Sequence, residues 1–170
     1  MVRLSDLHLR AARARIAAAA GAPVAPAELG GVVLRDEQRR TVGRVTDALL
    51  RQRGCLLADE VGQGKTFVAL AVARRWNRPL VIVPASLRRT WMAAMHRARV
   101  DCTIATHESL SRGRLPDVDA DFVIVDESHR FRSPRARRYS ALVTITAQRP
   151  VLLLSATPLQ NRTRDLAAQL

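Results

Sequence analysis

The sequence predicts an α/β fold, a mostly parallel sheet with helices on both faces, on three observations. Short apolar runs at 55–58, 80–83, 102–105, 122–125 and 151–154 lack polar alternation and are too brief for helices, so they read as strands buried on both faces. Segments of helical character separate them, and strand–helix–strand repetition gives a parallel sheet. The residues able to do chemistry follow directly on the runs, at the carboxyl ends of strands where such sheets bind ligands.

Taken in order, residues 1–20 are rich in Arg and Ala and read as an amphipathic helix with Leu4, Leu7 and the Ala/Ile run on one face. The stretch from Gly21 to Gly31, with Pro23, Pro26 and Gly30, breaks a helix and reads as a linker. The expected organisation is therefore an N-terminal helix and linker over 1–31, then a single nucleotide-binding lobe over 32–170. Within the lobe, Val42, Val45, Leu49 and Leu50 are spaced for one buried face of a helix over about 36–53. Further helices are expected over 66–76, 87–98, a short one over 108–110, and 135–147, with another beginning near Thr163.

At 170 residues, 48% apolar, the chain can bury one ordinary core. Its net charge of +13 argues against a neutral small-molecule carrier and favours a polyanionic partner such as nucleic acid. Much of that charge reflects a general preference for arginine, since Lys65 is the only lysine. No apolar run approaches the ~18 residues that span a bilayer, so no membrane role is expected. Cys55 and Cys102, both in apolar runs that read as strands, read as buried thiols and make neither a disulfide framework nor a zinc site. Trp76 and Trp91 lie at helical positions and read as core.

The first run of the sheet leads into Asp59-Glu60-Val61-Gly62-Gln63-Gly64-Lys65-Thr66 and then a helix. Gly62 and Gly64 allow backbone N–H groups to turn toward phosphate oxygens, and the helix start adds its positive end. Lys65 neutralises the β and γ phosphates, and the Thr66 hydroxyl is suited to Mg²⁺. A sole lysine placed between Gly64 and Thr66, in a chain that otherwise uses arginine, is the slim cation such a cradle needs. Asp59 stands where the general signature has its first glycine.

The fourth run ends in Asp126-Glu127-Ser128-His129. An aspartate closing a buried strand is placed to bind Mg²⁺ through water, and a neighbouring glutamate to orient or deprotonate an attacking water. The fifth ends in Ser155-Ala156-Thr157-Pro158-Leu159-Gln160-Asn161, whose hydroxyls and amides suit sensing of nucleotide or nucleic acid; Thr157-Pro158 also reads as a helix start. The five arginines between Arg130 and Arg138 suit either phosphate contacts or a solvated basic face.

These three segments together resemble motifs I, II and III of superfamily-two helicases, and in their T-P-L-Q-N ending the SWI/SNF-like DNA translocases in particular. The stretch Leu80-Val-Ile-Val-Pro-Ala-Ser-Leu-Arg-Arg-Thr-Trp91 is similar to that family's motif Ia, Ile104-Ala-Thr-His-Glu-Ser-Leu110 to motif Ib, and Leu34-Arg-Asp-Glu-Gln38 to the segment whose glutamine reads adenine. The resemblance covers about 34–161. Ser128 departs from the usual alanine or glycine of D-E-x-H, and Arg132 stands where lysine is common.

The resemblance implies a RecA-like P-loop lobe in which the motif III strand lies between those of motifs I and II. It implies ATP and Mg²⁺ as cofactors: Gln38, Gly62, Gly64, Lys65 and Thr66 on the nucleotide, Thr66 and Asp126 on Mg²⁺, with Lys65, Asp126 and Glu127 as the catalytic groups. His129, Ser155 and Thr157 would couple the nucleotide to nucleic acid, and Ser86, Thr106, Arg130 and Arg132 would contact double-stranded DNA. The family's motor uses a second RecA-like lobe with an arginine finger, for which this sequence has no counterpart after motif III. The expected function is DNA-stimulated ATP hydrolysis driving translocation on duplex DNA, with little turnover by this lobe alone. Two alternatives stand beside it: a nucleotide- or DNA-binding module without turnover, and a helicase subunit of a restriction or phage-defence system. The expected location is cytoplasmic and nucleoid-associated in a bacterium, nuclear otherwise.

Overall fold

The computed structural model describes residues 24–58, 64–117, 119–131 and 133–155. The helix expected over 1–20, the helix expected near Thr163, and the site candidates Gly62, Arg132 and Thr157 lie outside the described residues.

Chain order is β1 (Glu28–Leu29), β2 (Val32–Val33), α1 (Asp36–Gln52), β3 (Gly54–Ala58), α2 (Lys65–Ala73), β4 (Pro79–Val83), a 3₁₀ turn (Ala85–Leu87), α3 (Arg88–Ala98), β5 (Thr103–Thr106), α4 (His107–Ser111), β6 (Phe122–Val125), a second 3₁₀ turn (Ser128–Phe131), α5 (Arg137–Thr146) and β7 (Val151–Ser155). Strands β3 to β7 form one parallel sheet in the order β3-β7-β6-β4-β5. The motif III strand thus lies between those of motifs I and II, as the family resemblance implies.

Alternation along the central strands divides the core. Val81, Val83, Phe122, Ile124, Leu152 and Leu154 face one way, against Val42, Val45 and Leu49 of α1, Val68 and Leu70 of α2, and Trp91 and Ala94 of α3. Leu80, Ile82, Val123, Val125 and Leu153 face the other way, against Leu110 of α4 and Ala141 and Ile145 of α5. Every residue of β4 and β6 is buried, as the unbroken apolar runs predict. The terminal strands differ: in β3 only Leu57 is fully buried and in β5 only Ala105, because each has a neighbour on one side alone.

Helix α1 carries Asp36 and Glu37 in its first turn and Arg51 in its last, matching the helix dipole. Residues 28–31, which the sequence places in a linker, are docked on the lobe. They belong to a two-stranded antiparallel hairpin with Leu29 buried in the main core. The hairpin turn lies on the end of α3: Gly31 N–H donates to Arg97 O at 2.7 Å, and Gly30, at φ +58°, comes so close to Ala98 that an added Cβ would lie 2.5 Å from its carbonyl. That contact satisfies one of the carbonyls a helix end leaves unpaired.

Candidate nucleotide site

Register brings the candidate residues to one edge of the sheet. Ala58 pairs with Ser155, and Val125 with Leu153, so the chain leaves β3, β7 and β6 at a common carboxyl end on strands about 4.8 Å apart. The phosphate-loop candidate leaves from β3, the hydroxyl of Ser155 from β7, and Asp126 and Glu127 from β6.

Helix α2 begins at Lys65, with Thr66 next to it, after Gly64 in the left-handed conformation (φ +77°). Gly64 O accepts from Phe67 N–H at 3.0 Å and Val68 N–H at 3.2 Å. As a glycine, Gly64 offers no side-chain cap, and no acid lies in the first turn, so the positive end of α2 is not neutralised from its own sequence. This is a fit for a phosphate, and only glycine serves at position 64. The side chain of Gln38 occupies the space a Cβ on Gly64 would need. Its Oε1 accepts from Arg35 N–H at 2.9 Å, a bond that pins the carboxamide at the start of α1. The adenine-reading candidate and the phosphate-loop candidate are therefore in contact, 26 residues apart in sequence.

The end of β6 holds the acidic pair. Asp126 N–H donates to Ile82 O at 2.9 Å, carrying the sheet ladder one residue past the strand. Glu127 then adopts φ +49°, an uncommon conformation for a non-glycine residue, and the chain turns into the 3₁₀ segment. That turn buries Ser128 and Phe131 while leaving the Glu127 and His129 side chains 29% and 24% exposed. Asp126 Oδ1 accepts from Glu127 N–H at 2.9 Å. Glu127 Oε2 lies 3.2 Å from His129 Nδ1, and the same nitrogen lies 3.4 Å from Ser155 Oγ. Motif II and motif III are joined through one imidazole.

The candidates for DNA contact lie at or beyond the ends of β4, β5 and β6. Ser86 is exposed in the 3₁₀ turn after β4. Thr106 closes β5 and caps α4: its Oγ1 accepts from Ser109 N–H at 3.1 Å while Ser109 Oγ accepts from Thr106 N–H at 3.3 Å. Glu108 Oε2 accepts from Ala85 N–H at 2.9 Å, tying the two segments together. Partial burial pushes the Glu108 carboxyl up, but backbone hydrogen bonds from its own residue and Ala85, with His107 and Arg130 nearby, hold it below its ordinary value. Arg130 is exposed on the turn after motif II.

Two residues without an assigned role in the sequence turn out to adjoin Asp126. Trp91 is buried as expected for core, yet its indole N–H donates to Asp126 Oδ2 at 2.8 Å. The signal for this was its N–H, which a buried tryptophan must satisfy. His107 is also buried, edge-on to Phe131, and neither ring nitrogen makes a hydrogen bond among the described residues. Burial pushes its imidazole down to about 4, against a smaller opposing effect of the Asp126 backbone. Burial likewise raises the Cys55 thiol, and that of Cys102 to about 12 with help from Asp101.

A family profile described as the SNF2-related domain matches residues 93–170. The chain is also 29% identical, over 151 residues and 74% of its length, to the SWI/SNF-related matrix-associated actin-dependent regulator of chromatin subfamily A-like protein 1 of Xenopus laevis. The chain is SNF2-related. It is similar as well, at 28% identity over 136 residues and 65% of its length, to an uncharacterized ATP-dependent helicase of Bacillus subtilis. This SNF2-related chain spans 16% of the Xenopus protein and 24% of the Bacillus one. Its fold is that of the Sulfolobus solfataricus SWI2/SNF2 ATPase core solved in complex with dsDNA, with a TM-score of 0.74 at 21% identity over 86% of this chain and 37% of that one. The RecA-like lobe expected from the sequence is thus the fold observed.

Proposed function

We propose that this SNF2-related lobe binds Mg-ATP and, with a second RecA-like lobe, hydrolyses it in response to double-stranded DNA to drive translocation along the duplex. The observation that carries the reading is the line Glu127–His129–Ser155 between β6 and β7, set at the same sheet end as the glycine-led start of α2. ATP with Mg²⁺ supplies the scissile phosphate and the cation that offsets its charge. Lys65 and the start of α2 bind the phosphates, and Thr66 and Asp126 hold the cation. Gln38 reads the adenine with its amide. Glu127 orients the attacking water and accepts its proton. His129 ties Glu127 to Ser155, so a change at either strand end is felt at the other. Ser86, Thr106 and Arg130 meet the DNA backbone, where contacts fix position and make affinity fall with salt.

The relatives' helicase and chromatin-regulator names, together with the dsDNA in the Sulfolobus complex, support nucleic acid as the partner. An arginine finger contributes roughly 10³ to 10⁵ in rate, so turnover by this lobe alone is expected to be slow. Calorimetric titration with Mg-ADP and Mg-ATP, beside Lys65→Ala, tests the reading. Binding by the parent chain and at least tenfold weaker binding by a folded Lys65→Ala chain are expected. A folded parent chain that binds neither nucleotide, or a variant that binds as well as the parent, overturns it.

A further inference from the structure

We infer that Trp91 is a positioning residue for the metal site: its buried indole N–H fixes the orientation of the Asp126 carboxylate that receives the cation. The inference rests on the nucleotide reading proposed above. It deepens that reading by adding a residue from a segment, α3, that carries none of the other groups assigned to the nucleotide.

A carboxylate at the end of a strand has two side-chain torsions to fix before it offers a defined oxygen to a cation. Asp126 has a donor on each oxygen: the Glu127 backbone on Oδ1 at 2.9 Å, and the Trp91 indole on Oδ2 at 2.8 Å. Each oxygen keeps a second lone pair, so both bonds are compatible with a cation on the same carboxylate. The Glu127 bond is local, made between consecutive residues where Glu127 has φ +49°. The Trp91 bond is long-range, and its donor is rigidly placed. Trp91 is 1% exposed in the main core, and an indole has no alternative donor to rotate into position. A charge-assisted bond of this kind is among the stronger ones, and partners that orient a metal-ligating carboxylate commonly change metal affinity 10- to 100-fold when lost.

The other tryptophan is a built-in control. Trp76 stacks on Phe122 with ring centroids 4.1 Å apart, at the start of β6, whereas Asp126 follows its end. Both indoles pack in the same core, but only Trp91 touches the acidic pair.

The test is the affinity of the chain for ADP in excess EDTA and in saturating Mg²⁺, for the parent, Trp91→Phe and Trp76→Phe, with circular dichroism to establish folding. Trp91→Phe is expected to weaken Mg-ADP binding by about tenfold while leaving metal-free ADP affinity within twofold; Trp76→Phe is expected to change neither. Equal changes with and without Mg²⁺, or no change at all in a folded Trp91→Phe chain, overturn the inference. If Trp91→Phe does not fold, benzothienylalanine at position 91 in a Trp76→Phe background keeps both rings and replaces the N–H with sulfur, and the same two outcomes apply. Should the parent chain bind no ADP, the nucleotide reading fails on its own. The positioning claim is then read from Mn²⁺ alone, which must broaden the Trp91 indole N–H resonance more strongly than that of Trp76; equal broadening, or none, overturns it.

Discussion

The carboxamide nitrogen of Gln38 sits where a β-carbon on Gly64 would have to be. The two residues belong to different segments, one at the first turn of α1 and the other at the start of α2, and their contact makes the N-terminal ends of both helices one unit. Gly64 meets two constraints there, a left-handed backbone at φ +77° and no room for a side chain.

Gly64→Ala is therefore expected to destabilise the chain by about 2 kcal/mol or more, about half of it from the backbone conformation alone. It should weaken Mg-ADP binding as well. Gln38→Ala in the same chain removes the obstructing side chain but leaves the backbone cost. The double variant should recover part of the loss and no more. Denaturant unfolding of the four proteins of the cycle measures this, and additive single effects would mean that the contact has no energetic weight.

At the other end of the sheet core, Gly30→Ala places a Cβ 2.5 Å from the Ala98 carbonyl at a φ of +58°. The hairpin must lift away from α3, which breaks the bond from Gly31 N–H to Arg97 O and loosens the burial of Leu29. A loss of about 2–4 kcal/mol is expected. Gly31→Ala is the comparison: its Cβ would be 3.3 Å from Arg97 O with no positive φ, so it should cost under about 1 kcal/mol. Thermal unfolding separates the two.

The hairpin also shows where the sequence runs out. Strands of two residues have no periodicity to read, so Gly30 and Gly31 look like the end of a linker, and the helix end that they cover is nearly 70 residues away. The central strands are the opposite case. The runs at 80–83 and 122–125 are apolar throughout because both faces are covered, and burial alone makes them legible. The same principle overstates β3 and β5, whose composition resembles that of the central strands while their edge positions leave them half-covered. Asp126, Glu127 and His129 stand out because they are neighbours at one strand end. The bond between Trp91 and Asp126 crosses 35 residues, and nothing in local spacing announces it.

Ser155 is 1% exposed, and its hydroxyl faces the His129 imidazole that Glu127 also meets. Under the proposed function, and in a protein that joins this lobe to a second RecA-like lobe, Ser155→Ala is expected to lower DNA-stimulated hydrolysis more than the DNA-independent rate. The ratio of the two rates should fall roughly 2- to 30-fold, which corresponds to about 0.5–2 kcal/mol of lost coupling. Steady-state hydrolysis with and without duplex DNA gives that ratio. An equal fall in both rates would assign Ser155 to the fold rather than to communication.

The buried His107 ties stability to pH. Its imidazole is pushed from 6.5 to about 4, first by burial and then by the positive charges of Arg130 and Arg138, with Glu108 and the Asp126 backbone opposing. A folded state that disfavours the proton binds fewer protons than the unfolded chain between those two values. The neutral ring's contribution is thus fully present above about pH 6.5, falls as pH drops toward 4, and is constant below it. The loss over that window is at most about 3 kcal/mol. Glutamine does not titrate in this range, so His107→Gln, whatever its effect on absolute stability, should flatten the curve between pH 7 and 4 relative to the parent chain. Parallel curves for the two proteins would show that the ring is already protonated in the folded state or reaches solvent there.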